Sequence, residues 1–201
     1  MPNFKRRKTL PMKKIIILAS GTGSNAEAIL NYFENNNQIK VSHILSNNPK
    51  AKVLQMAKKR NVENFSFDRK DLYESDKIYD FFKETNPDLI ILAGFLWIVP
   101  EKIIRAFPDK IINIHPSLLP KYGGKGMYGN NVHHAVLTNR EKETGITIHY
   151  VNEKYDEGKI IANFKTPINP EEDLNTLLIK IRKLEHQNYP KVIEQLLTPE
   201  K

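Results

Sequence analysis

Two runs in this chain, Ile15-Ile16-Ile17-Leu18 and Leu89-Ile90-Ile91-Leu92, are apolar at every position. Successive side chains of a strand leave opposite faces, so a run without polar alternation needs apolar cover on both sides. Such strands sit at the middle of a parallel sheet flanked by helices, and the rest of the sequence supplies that setting. Residues 13–19 read as the first strand, 20–25 as a glycine-bearing turn and 26–33 as a helix with Ala28, Ile29, Leu30 and Phe33 as apolar positions. Strands follow at 39–45 and 63–67, helices at 51–60 and 72–84, and the central strand at 88–93. Pro100 opens a helix reaching Phe107, and 110–115 is the next strand. Glycines at 123, 124, 126 and 129 mark 121–131 as a loop able to act as a lid, before a helix near 132–137. Strands at 144–151 and 159–167 and a closing helix over 173–197 complete the chain. The order predicts an α/β fold: an open, mainly parallel twisted sheet with helices on both faces and sites at the carboxyl ends of its strands.

With 201 residues and 40% hydrophobic content, residues 13–201 are expected to form one domain. Residues 1–12 read as a disordered basic leader, with Met12 as an alternative start to Met1. The net charge of +8 suggests nucleic acid at first sight, but Lys5, Arg6, Arg7, Lys8, Lys13 and Lys14 carry six of those charges and leave +2 for the remainder. No aromatic residues are interleaved for base stacking, so no nucleic-acid partner is expected. The absence of cysteine excludes disulfides and thiolate metal sites and agrees with a cytoplasmic protein. The apolar run 15–18 is shorter than the roughly 7–15 residues of a signal-peptide core. No run approaches the ~20 residues of a membrane span, so no membrane partner is expected.

Chemistry concentrates at Asn113-Ile114-His115-Pro116, where a β-branched strand ends in an amide and an imidazole two residues apart. Period two puts both on one face, where they can act on one atom, and Pro116 and Pro120 stiffen the segment beyond the strand. Gly21-Thr22-Gly23-Ser24-Asn25-Ala26 follows a strand and opens a helix, so its amides can hold a phosphate, with Ser24 and Asn25 as side-chain donors. It also fits a dinucleotide fingerprint, but the acid expected about 20 residues on is missing, which argues against NAD. A glycine turn serving only close packing is the structural alternative. Asp156 lies at the apex between two strands; close to His115 it would orient the ring and sustain its charged form. His133 and His134 are adjacent and lack further ligands, so no metal is expected. His149 reads as packed or supporting, and Glu185 as solvated unless the fold brings it to the site.

Together, Ser20–Asn25, Leu92-Ala93-Gly94-Phe95, Asn113–Pro120, Tyr155-Asp156-Glu157-Gly158 and Glu185-His186 resemble, in order, the motifs of the folate-dependent glycinamide ribonucleotide formyltransferases. The resemblance runs from about Lys13 to the last helix and implies a Rossmann-like formyltransferase fold. It implies Asn113, His115 and Asp156 as the catalytic trio, and Gly23, Ser24, Asn25 and Glu185 as contacts to phosphoribosylglycinamide. Lys70, or its neighbour Arg69, would meet the folate, along with Leu96, Trp97, Ile98, Val99, Asn113, Asn152, Glu153, Lys154, Tyr155 and Asp156. Trp97 stands where the family often has arginine, so stacking replaces charge there, and 124–132 is longer than in many members.

The expected reaction is formyl transfer from 10-formyltetrahydrofolate, as cosubstrate, to the amine of 5′-phosphoribosylglycinamide in purine biosynthesis. Asn113 and protonated His115 would stabilise the developing oxyanion and His115 would protonate the leaving nitrogen. A monomer or homodimer acting on small molecules fits this reading. The alternatives are hydrolysis of 10-formyltetrahydrofolate by the same trio, and a non-catalytic nucleotide-binding module.

Overall fold

A computed structural model describes residues 11–198. The leader expected over 1–12 therefore lies outside the described residues except for Pro11 and Met12, which are irregular and exposed. The elements run β1 (Lys13–Leu18), α1 (Ser24–Phe33), β2 (Ile39–Ser46), α2 (Lys52–Lys59), β3 (Glu63–Ser66), α3 (Lys77–Thr85), β4 (Leu89–Leu92) and α4 (Glu101–Ala106). They continue with β5 (Ile111–His115), α5 (Asn130–Thr138), β6 (Glu143–Tyr150), β7 (Ile160–Pro167) and α6 (Leu174–Leu197). One seven-stranded sheet has the order β3-β2-β1-β4-β5-β6-β7. Its first five members are parallel, and β6 and β7 join antiparallel. The order reverses between β1 and β4, the switch point at which open α/β sheets leave a crevice.

The two apolar runs occupy β1 and β4, neighbours at the sheet centre, and none of their residues exceeds 6% exposure. Ile15 and Ile17 pack with α1, α2, α5 and α6, while Ile16 and Leu18 pack with α3 and α4. Helices thus cover both faces, as a strand without polar alternation demands.

The helix expected over 72–84 is divided. A single π-turn spans Lys70–Glu74, closed by Ser75 N–H donating to the Lys70 carbonyl, and Ser75 is extended before α3 begins. Asp68 accepts from Asp71 N–H at 2.8 Å and starts the first piece, while α3 opens after Asp76 without a side-chain cap. In α6, Asp173 caps the start by accepting from Thr176 N–H at 2.7 Å. The fully buried Tyr189 of the same helix donates its hydroxyl to the Leu92 carbonyl at 3.1 Å and lies 3.4 Å from that of Ile112, tying α6 to the end of β4 and the start of β5.

Candidate active site

β5 places Ile112 and Ile114 in the core with α6 and turns Asn113 and His115 to the other face. The antiparallel register sets His149 of β6 opposite Asn113 and Thr147 opposite His115. Asn113 Nδ2 lies 3.2 Å from His149 Nε2, and His149 Nδ1 donates to the Tyr150 carbonyl at 2.8 Å. A carbonyl only accepts, so Nδ1 carries the hydrogen and Nε2 accepts from the amide. Burial lowers the His149 pKa against the opposing pull of the Tyr150 carbonyl and Asp156, keeping the ring neutral in this role. One of the two Asn113 amide hydrogens is thereby held by His149.

Asp156 lies between β6 and β7 with φ +52°, a left-handed conformation that aspartate tolerates. Its Oδ2 accepts Gly124 N–H at 2.9 Å and lies 3.5 Å from His115 Nδ1, while Oδ1 is 3.7 Å from His149 Nε2. Gly158 permits this closure: a Cβ there would fall 1.7 Å from the Tyr150 carbonyl oxygen. His115 is 4% exposed, and its Nε2 sits 2.7 Å from the Tyr122 carbonyl. The segment that follows His115 is held by Thr147, whose hydroxyl donates to the Ser117 carbonyl at 2.7 Å and accepts Leu119 N–H at 3.0 Å.

At the end of β1, Gly23 has φ +81°, and a Cβ would come within 2.4 Å of Val53, so packing alone requires glycine there. No side chain caps α1, which starts at Ser24, two residues earlier than expected, and leaves first-turn amides for an anion. Asn25 Nδ2 donates to Glu185 Oε2 at 3.0 Å across 160 residues of sequence, while the buried Asn25 Oδ1 has no protein partner. Burial raises the Glu185 pKa, with Asn25 and Arg182 opposing it. Glu185 is thus drawn to the glycine loop, one helical turn before Tyr189.

Beyond the ends of β2 and β3, a cleft of about 510 Å³ is lined by residues including Lys70, Arg69 and Trp97. The Arg69 guanidinium lies over both Tyr73 (5.0 Å) and Trp97 (5.3 Å), and Trp97 also meets Phe67 edge-on. Leu96 and Ile98 are exposed, whereas Val99 is in the core. In the 152–156 turn, Asn152 accepts Lys154 N–H at 3.1 Å and Tyr155 is exposed. The side chains of Glu153 and Lys154 reach Arg105 and Glu157 at the surface.

Sequence reasoning did not single out Tyr122 or Thr147, and it left His149 with an undefined supporting role; a registered β5–β6 pairing is the signal that would have placed His149 beside Asn113. His133 is buried, and burial together with His115 and His134 lowers its pKa to about 4. Among the described residues no group of three or more His, Cys, Asp or Glu could hold a metal, and no helix is long and apolar enough to cross a membrane.

A mixed Rossmann-like sheet that gathers an amide, an imidazole and a carboxylate beside an uncapped helix start is the framework of an enzyme working at the strand-end crevice. The formyl transferase family profile matches residues 13–193, and the chain belongs to that family. It is 38% identical over 192 residues to the phosphoribosylglycinamide formyltransferase of Bacillus subtilis, covering 92% of this chain and 95% of the relative. The Haemophilus influenzae enzyme of that name is 37% identical over 188 residues, covering 91% and 86%. The crystal structure of glycinamide ribonucleotide transformylase 1 from Geobacillus kaustophilus superposes with a TM-score of 0.85 at 35% identity, covering 94% of this chain and 100% of that one.

Proposed function

We propose that this formyltransferase moves the formyl group of 10-formyltetrahydrofolate to the amine of 5′-phosphoribosylglycinamide. The observation that carries the reading is the meeting of Asn113, His115 and Asp156, with Asp156 3.5 Å from the ring, on the edge that also holds the Asn25–Glu185 pair. The phosphate lies at the Gly23–Asn25 amides, and Asn25 Oδ1 and Glu185 accept from the ribose or glycinamide part. The donor lies along Leu96–Val99 and the Asn152–Asp156 turn, with its outer part over Trp97 and near Lys70. The amine attacks the formyl carbon. Oxyanion charge falls to the free Asn113 proton and the imidazolium of His115, whose counter-ion is Asp156. The proton leaves His115 for the folate nitrogen, which departs as a neutral amine, and the attacking amine loses its own proton towards Asp156 directly or through water. Holding both substrates in one crevice makes the encounter unimolecular. The same reading has the enzyme in the cytoplasm as a monomer or homodimer, without a resident metal.

The test is turnover with 10-formyltetrahydrofolate in the presence and absence of phosphoribosylglycinamide. Product that requires the amine supports transfer, and equal release of formate without it would make the chain a hydrolase. His115→Ala and Asp156→Asn should each lower kcat by about 100-fold or more with the fold intact. Ser24→Ala tests the phosphate subsite better than a change at Gly23, where Val53 excludes any side chain, and should raise KM for the phosphoribosyl substrate.

A further inference from the structure

Both nitrogens of the His115 ring face a neighbour, and the two neighbours differ in kind. Nε2 is 2.7 Å from the Tyr122 carbonyl, while Nδ1 faces the Asp156 carboxylate at 3.5 Å, beyond ordinary hydrogen-bond length. Tyr122 itself is in a left-handed conformation, φ +58°, which a bulky residue adopts only when its surroundings impose it. Its hydroxyl donates to Glu141 Oε1 at 2.9 Å and accepts from Asn139 Nδ2 at 2.8 Å. Lys121 Nζ closes on the same Glu141 oxygen at 3.0 Å, and Lys121 first, then Tyr122, hold that carboxyl below its usual range. Ser117 Oγ donates to the Lys121 carbonyl at 2.7 Å, so Tyr122 is held from both its backbone and its hydroxyl.

We propose that Tyr122 is a positioning residue for His115, anchored by Asn139 and Glu141 at the end of α5, and that its carbonyl keeps the hydrogen on Nε2 so that Nδ1 is the nitrogen that gains and loses a proton. A carbonyl can only accept, so Nε2 stays protonated in the neutral and the charged ring alike. The exchangeable proton then sits on the side of Asp156, where the reacting atoms must lie. The ionisable groups around the ring are Asp156 from the β6–β7 connection, His149 from β6 and His133 from α5. Without the strut the neutral ring could place its hydrogen on Nδ1 facing Asp156, the tautomer that has no lone pair on the reacting side. The kinetic consequence rests on formyl transfer at His115, whereas the tautomer is a property of the protein alone.

Two-bond proton–nitrogen correlation on the full chain with 15N-labelled histidine reads the tautomer directly. The wild type should show His115 protonated on Nε2. In Tyr122→Phe and in Glu141→Ala the two nitrogens should move towards a tautomer mixture, with kcat lowered between about 10- and 100-fold. KM for both substrates should stay the same, and the acid limb of the kcat–pH profile should shift. Glu141→Gln, which keeps an acceptor for the hydroxyl, should recover most of what Glu141→Ala loses. Because Glu141 lies outside the core, its variants carry the test if Tyr122→Phe does not fold. Protonation of His115 on Nδ1 in the wild type, or variants with unchanged tautomer and kcat, would overturn the proposal. A wild type inactive in formyl transfer but protonated on Nε2 would remove the proposed reaction and leave the strut standing.

Discussion

Glu185 shows what burial costs a single carboxylate. Its folded pKa is raised by burial, so relative to the unfolded chain it favours the native state below the carboxylate's ordinary value and is a cost once the pH rises through the folded value. Glu185→Gln should therefore raise the thermal midpoint at pH 8 and leave it nearly unchanged at pH 4. The same substitution should raise KM for the phosphoribosyl substrate by about 10- to 100-fold, through loss of a charged acceptor. A variant no more stable than the wild type at pH 8 would contradict the burial argument, and an unchanged KM would remove Glu185 from the substrate site. The pairing with Asn25 could not be read from either residue, because it spans the fold from the start of α1 to the middle of α6.

Among elements, the β6–β7 hairpin does most to assemble the trio. Gly145 and Gly158 both exist because a carbonyl comes too near for a Cβ: the Phe164 oxygen would be 2.0 Å away in one case and the Tyr150 oxygen 1.7 Å in the other. Alanine at either position should cost about 1–3 kcal/mol or more, measured by urea unfolding. Their effects on turnover should differ. The Tyr150 carbonyl holds His149, which holds Asn113, so Gly158→Ala should also lower kcat of the folded protein, while Gly145→Ala should lower stability alone. Equal kcat in the two variants would break the chain from hairpin to amide. In the sequence, Tyr155-Asp156-Glu157-Gly158 reads as an ordinary turn, and only its landing place against β6 makes it part of a site.

Across the whole molecule, histidines dominate the response to mild acid. His43, His133, His149 and His186 all have pKa values lowered chiefly by burial. A depressed histidine contributes stability that is complete above its unfolded value near 6.5 and is lost as pH falls towards the folded value, about 4 for His133. Glu185 opposes this trend, but it is one group against four. Urea midpoints should stay level from pH 8 to 7 and decline between pH 6.5 and 4, before the ion-paired carboxylates of Asp71 and Asp88 and the capping carboxylate of Asp173 begin to protonate. A midpoint that is flat to pH 5 would mean that the buried rings charge without cost.

What the sequence determined by itself was the order of strands and helices and the shared face of Asn113 and His115. Both are local: two unbroken apolar runs demand cover on both sides, and a period of two aligns alternate side chains whatever the partner strand. Even locally it misjudged residues 72–84, where the backbone is extended at Ser75 and divides the apolar rhythm between two pieces. The tertiary structure decided which distant groups meet that face. The antiparallel register of β6 against β5 chose His149 as the partner of Asn113, and the close return of the hairpin brought Asp156 to His115. The long closing helix, moored by Tyr189 to the Leu92 and Ile112 carbonyls of β4 and β5, carried Glu185 to Asn25. Pairings between segments separated by tens of residues leave no periodic trace in a chain, because they are set by strand order, register and close packing.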